Sequence, residues 1–455
     1  MLTQNSSHHS DSQSNRMVWL HGRRGGSLTK YKGVTCGVAP EQTSLGAVVM
    51  LSAVTAFGGL IGFAQDASAG SCVQSGTDFT CSGAADPDTD TTQSFTLATR
   101  ADVTTSAGFG IDLESGSVFD FNTNGGFSFT DQNEAFILGS DYGFNVVNYG
   151  GGDIVVDSNG VIAGGSAGVD TTALRLINNS TDGSIVVNVD IVGGGYDAII
   201  ANNAGAGGIA ITSTGLIQSI FNHGINISGN NGQGNVSITA NVIDAVGNGI
   251  NVDTGSATGD FNVDVTEITA GANGIYGFVS GNGDTNITVG SIDAGDNGIW
   301  IDVDAAPDAG VTTLNIGDIT AGNEGINIDT NANTSGLEIN VNDVTSGASS
   351  IRFNHRGSGD TIVRANDITA NTNNGIWFNT WGDGDVIVSA NNIDAGFIGV
   401  WLDTDSSTQD FILDVNDITA GDDGINAVHS GTGTVDINVT GTITAGDDGI
   451  EFYAD

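Results

Sequence analysis

Two short stretches carry the residue types that a polysaccharide-cleaving site uses. Asn222-His223-Gly224 offers an imidazole, and Asp422-Asp423-Gly424 offers paired carboxylates. A general acid and a general base must both come within hydrogen-bond reach of one substrate. His223, His355 and His429 could share a metal ion only if the fold gathered them. The corners Gly421-Asp422-Asp423 and Gly446-Asp447-Asp448 bear the oxygen ligands that Ca²⁺ takes. A further set is aromatic and cationic: Tyr276, Trp300, Arg352, Trp377 and Trp401. Which of these can meet depends on the elements that carry them.

Those elements repeat. In Gly325-Ile326-Asn327-Ile328 a glycine is followed at once by a β-branched residue. The same slot holds Gly224, Gly249, Gly274, Gly298, Gly325, Ser350, Gly375, Gly399, Gly424 and Gly449, at steps of 24 to 27 residues. A fixed period of that size marks a stacked solenoid. Each turn parses into three short strands, for example Gly325-Ile326-Asn327-Ile328, Leu337-Glu338-Ile339-Asn340-Val341 and Ile319-Thr320-Ala321. Alternation sends Ile326, Ile328, Leu337, Ile339 and Val341 inward, and Asn327, Glu338 and Asn340 outward. No apolar stripe of period 3.6 occurs in the body, so no helix is expected there. Strands that cannot pair within their own turn must pair with the next. The expected fold is all-β: a right-handed single-stranded parallel β-helix, a triangular solenoid of ~25-residue turns spaced ~4.8 Å apart. Residues 1–69 read as a leader with a signal peptide, 70–165 as an N-terminal cap with irregular first turns, and 166–455 as regular repeats with an uncapped C-terminus.

That frame decides the chemistry expected. His223 and Asp422-Asp423 share one slot of the repeat eight turns apart, roughly 38 Å at ~4.8 Å per turn, so they cannot act together. No catalytic residues are expected. The three histidines are too scattered for a metal site and read as surface residues. The aspartate corners read as turn formers in solvent, with at most weak Ca²⁺ association, and no cofactor is expected.

Charge narrows the partners. The net charge is −43, and from residue 70 onward only Arg100, Arg175, Arg352, Arg356 and Arg364 are basic, against 50 of the 53 acids. Such a surface repels nucleic acid and anionic lipid, and leaves cations, glycans and proteins. Residues 45–64 form an apolar run with basic residues before it and Ala67-Ser68-Ala69 after it, the order of a secretory signal. Export suits Cys72 and Cys81, the two cysteines beyond that leader. A small hairpin around Gly76 would bring them together as a disulfide.

One outward column stands apart: Asn226, Asn251, Tyr276, Trp300, Asn327, Arg352, Trp377, Trp401, Asn426 and Glu451. Exposed aromatics beside Asn and Arg suit stacking on sugar rings and mark a partner surface. Alternatively, neighbouring rings stack on one another and stabilise the sheet. The exported leader, the Cys72/Cys81 loop and the long acidic Gly/Asn/Asp-rich β-helix together resemble the passenger domain of bacterial autotransporters. The resemblance covers essentially the whole chain after the leader. It implies a cell-surface, outer-membrane or extracellular protein of adhesin type that binds host or biofilm glycans or surface proteins. It also implies an outer-membrane translocator barrel, which this chain does not contain. A polysaccharide-acting β-helix enzyme and an inert surface stalk are the alternatives.

Overall fold

A computed structural model describes residues 71–76, 78–82, 93–97, 101–105 and 110–112. It then describes 119–454 apart from 133, 140, 166–170, 231–233, 256–258 and 306–309. The expected leader lies outside the described residues, as do the side chains of Cys72 and Cys81.

The described chain is a parallel β-solenoid of about 13 turns, with no helix. Each regular turn gives two strands. A short one such as Ile326–Thr330 enters a 15-stranded sheet, and a long one such as Gly336–Ser346 enters a 19-stranded sheet. Ile326 pairs with Ile351, and Leu337 with Thr361, one turn on in each case. The expected three strands per turn are corrected here, because the second and third run on as one. In Phe261–Ala270 the in–out alternation breaks once, at Thr266-Glu267, where two successive side chains turn away from the core. The ladder skips Thr266 and resumes with Glu267 opposite Ser291. The strand therefore bends round a corner without leaving its sheet.

Inside, the expected alternation holds. Ile326, Ile328, Leu337, Ile339 and Val341 are buried, and Asn327, Glu338 and Asn340 are half-buried on the outer face. The slot glycine is explained by close approach. A Cβ at Gly325 would lie 2.4 Å from the Ser350 carbonyl oxygen and 2.4 Å from Val344 Cγ1. Ala173 and Ala198 fill the slot in earlier turns, and Ser350, the other departure from glycine, uses its hydroxyl to bond the Thr369 carbonyl at 2.8 Å and Ser346 Oγ at 2.9 Å.

The first part of the body already belongs to the stack. Ala101–Thr105 pairs in parallel with Phe127–Asp131, which pairs with Ile154–Ala163. Phe121, Phe127, Phe129 and Phe144 fill the core there, with ring centroids 4.6 to 6.1 Å apart. Before it, Ser71–Ser75 and Asp78–Ser82 form the expected antiparallel hairpin. Gly76 sits at φ 67° in its turn, and Cys72 faces Cys81 in register. Glycine adopts that left-handed conformation without strain.

The interior is not wholly apolar. The last inward position of the short strands holds a ladder of polar side chains. Asn148 donates to Asn178 at 3.0 Å, and Asn178 to Asn203 at 2.8 Å. Further along, Thr330, His355, Thr380, Thr404 and His429 occupy the same register, all buried. This corrects the reading of His355 and His429 as surface residues, whereas His223 is half-buried. Positions 351, 353 and 355 share inward parity, so His355 follows Ile351 and Phe353 into the core. Nδ1 of His355 lies 2.8 Å from Thr330 Oγ1, and that of His429 lies 2.8 Å from Thr404 Oγ1.

These niches recur at a longer spacing. The corners Thr330-Asn331-Ala332-Asn333-Thr334 and Thr404-Asp405-Ser406-Ser407-Thr408 lie 74 residues, or three turns, apart. In each, the Asn331 or Asp405 side chain accepts from the backbone N–H two residues on, at 3.0 and 2.9 Å. One turn later come His355-Arg356-Gly357-Ser358-Gly359 and His429-Ser430-Gly431-Thr432-Gly433, again 74 residues apart. The pair of corners thus recurs once, three turns on.

Candidate functional site

Position two of the short strands carries the outward column, because the slot residue's neighbour must point inward and the next one out. The register is unbroken. Asn251 pairs with Tyr276, Tyr276 with Trp300, Trp300 with Asn327, Asn327 with Arg352, Arg352 with Trp377, and Trp377 with Trp401. All five expected residues, Tyr276, Trp300, Arg352, Trp377 and Trp401, are half-buried on the outer face of the 15-stranded sheet.

They fall into two stations rather than one continuous strip. Tyr276 and Trp300 stack at 4.8 Å with planes 15° apart, and Phe278 meets the Trp300 ring edge-on at 5.4 Å. Three turns on, Trp377 and Trp401 stack at 5.3 Å and 19°, and the Arg352 guanidinium lies 4.6 Å over Trp377. Asn327, between the stations, donates to Glu324, which also meets Arg352 at 3.5 Å. The rings cover one another's inner faces, as offset aromatic pairs do. The other face of Trp377 is covered by Arg352, so that ring is sandwiched between a guanidinium and Trp401.

Alternation along the strand did not reach a parallel column at the neighbouring corner. Arg356 lies 5.1 Å over the Trp381 ring and bonds Asp329 at 2.8 Å. Both residues lie just beyond a strand end, where the period-2 rule stops. The signal that could have found them is the crowding of Arg352, Arg356 and Arg364 into a single turn.

The other candidates stay apart. His223 and Asp423 occupy one column, eight turns from each other. His223 Nδ1 accepts from the Asn248 N–H at 3.1 Å, and burial lowers its pKa although Asp197 opposes. Asp197 is itself satisfied by Asn222 at 2.8 Å and the His223 N–H at 2.9 Å. Asp422, Asp423 and Asp447 bring carboxylate oxygens within 4.8 Å of one another. The Asp422 carboxyl is raised by desolvation, then by Asp423, Asp447 and Glu451. Asp423 already accepts from Asn426 at 2.9 Å and the Asp448 N–H at 3.2 Å.

Comparison with protein-family models, with curated proteins and with solved structures gave no match.

Proposed function

We propose that the chain is an exported, non-enzymatic passenger of adhesin type, which displays a rigid solenoid at the cell surface and binds glycans or surface proteins there. The observation that carries this reading is the outward column. Aromatic and arginine side chains hold one register across many turns of an otherwise acidic, Asn- and Asp-rich rod. A parallel stack fixes their spacing at ~4.8 Å per turn, which gives an extended ligand a preformed set of contacts. Acid–base chemistry is disfavoured by the eight turns between His223 and Asp423. An outer-membrane barrel, supplied outside this sequence, belongs to the same proposal, as does loose Ca²⁺ association at Asp422, Asp423 and Asp447.

An inert stalk is the second reading, favoured by the mutual stacking of the rings. A glycan array and a cell-adhesion assay separate the two. Wild type should bind a subset of glycans or cells. Tyr276→Ala with Trp300→Ala, or Trp377→Ala with Trp401→Ala, should weaken attachment by about 10-fold or more while circular dichroism stays unchanged. A folded wild type that binds nothing would leave the stalk.

A further inference from the structure

Every basic side chain beyond Arg175 sits in one turn of the solenoid: Arg352, Arg356 and Arg364. Random placement on so acidic a rod would scatter them. Arg352 and Arg356 share a face, at position two of the strand Ile351–His355 and just past its end. Each guanidinium lies over an indole of the next turn, Trp377 at 4.6 Å and Trp381 at 5.1 Å. Each meets one carboxylate of the preceding turn through Nη1, Glu324 at 3.5 Å and Asp329 at 2.8 Å. Between the two pairs lie Asn354 and Asn379, joined by a 3.0 Å hydrogen bond from Asn379 Nδ2 to Asn354 Oδ1.

The result is a trough along the solenoid axis. One wall is Arg352–Trp377–Trp401, the other is Arg356–Trp381, and the floor is Asn354 and Asn379, with Asp329 before them and Asp403 after them in the same register. The walls stand four residues apart along the chain, roughly 13 Å at ~3.3 Å per residue. The lining is rich in donors. A guanidinium offers five N–H groups and no acceptor, and the bonds above engage one nitrogen of each. Among the described residues nothing accepts from the indole N–H of Trp377, Trp381 or Trp401. Trp381 is 41 % exposed and adds apolar surface beside these donors.

We propose that this trough holds a sparsely carboxylated polysaccharide crossing it along the strand direction, its acid groups on Arg352 and Arg356 and a sugar ring against Trp381. The inference rests on the glycan-binding reading above and locates it. Forked guanidinium groups, each pre-oriented by an indole, match a carboxylate in two-point geometry. The Asn354 and Asn379 amides suit hydroxyl groups between the acids. The rod's net charge of −43 selects against a dense polyanion, whose many charges would meet carboxylates on either side of this one basic turn. One acid every few sugars meets the arginines and little else. Uronic and sialic acids both supply that chemistry.

The test uses the folded chain and measured affinities for four probes: hyaluronan oligosaccharide, sialyllactose, carboxyl-reduced hyaluronan and heparin. Wild type should bind at least one of the first two, with carboxyl reduction or replacement by heparin weakening binding about 10-fold or more. Arg352→Gln with Arg356→Gln should weaken carboxylated-probe binding about 100-fold, at roughly 10-fold for each guanidinium removed. Trp381→Ala should weaken it too, and Tyr149→Ala, an exposed ring many turns away from this one, should leave it unchanged. These arginines are on the exposed rim, so the variants should keep the wild-type circular dichroism. Equal affinity for acidic and neutral probes, or undiminished binding by the double arginine variant, overturns this inference and leaves the glycan-binding reading standing. A folded wild type that binds no saccharide, neutral or acidic, removes both.

Discussion

Burial lowers the pKa of His355 to about 4, with the backbone of Gly359 opposing. That backbone acts without meeting hydrogen-bond geometry, and Nε2 of His355 has no partner among the described residues. In the unfolded chain the imidazole titrates near ~6.5. Between those values the unfolded chain holds more protons than the folded one. The stability tied to His355 is therefore complete above about pH 6.5 and is lost as the pH falls toward about 4. A separation of this size corresponds to on the order of 3 kcal/mol. His429, in the same niche three turns on, is shifted the same way by burial, against Gly433 and Asp410. His355→Thr installs the residue found at positions 330, 380 and 404. The gap between wild type and this variant at pH 7 should shrink or reverse by that amount at pH 4, in urea denaturation followed at both. A gap that does not change with pH would show that the imidazole is not held neutral by the fold. The comparison is made against wild type because carboxylates titrate in the same range. Asp410 and Asp417, for example, are held below the usual range by hydrogen bonds from Thr434 and Thr442.

At the scale of the element, the slot is the most constrained position in a turn. Gly325→Ala would force a Cβ to 2.4 Å from a carbonyl oxygen of the next turn, and this ladder has no flexible end that could yield. The cost should be about 1–3 kcal/mol or more, read from thermal or urea melts. Gly193→Ala, where a Cβ meets nothing within 4 Å, should be neutral or slightly stabilising. Equal losses from both would mean that slot packing is not what demands glycine. The slot was legible in the sequence because steric exclusion leaves only small residues, glycine at nine of the ten positions from 224 to 449, and repetition multiplies that signal. In–out parity was legible for Ile326 and Leu337 for the same reason. For His355 parity gave the right answer, but the residue's usual preference for the surface outweighed it. The corner that fuses two strands into one was hidden, since a bend costs only one missed pairing and leaves no marker residue common to Thr266 and Gly290. The column Tyr276–Trp401 was legible as an alignment. Its division into two stacks, and the second column at Arg356 and Trp381, depend on contacts between turns and on corner geometry, where alternation says nothing.

For the whole molecule the main hazard is electrostatic, since stacking repeats in register also stacks their carboxylates. Amides from the next turn answer this at the bends. Asn342 donates to Asp318 at 2.7 Å, Asn366 to Asp343 at 2.8 Å, and Asn391 to Asp367 at 3.1 Å. Asn366→Asp should replace that donor with a second carboxylate and lower stability by on the order of 1–2 kcal/mol in dilute buffer. Much of the loss should return in about 0.5 M salt, where the screening length falls to a few ångströms. Melting curves at the two salt concentrations check this, and an unscreened loss would point to packing instead. The three-turn recurrence has a further consequence, one of heredity rather than stability. Splicing Gly325 directly to Val400 would excise residues 326–399 and bring Thr404, with the His429 niche above it, onto the place that Thr330 vacates. Because both ends of the excised cassette present the same corner, loss or duplication of these three turns should be silent to the fold. Removing one turn would set unlike corners on each other, so natural length variants of this stretch should differ by three turns at a time.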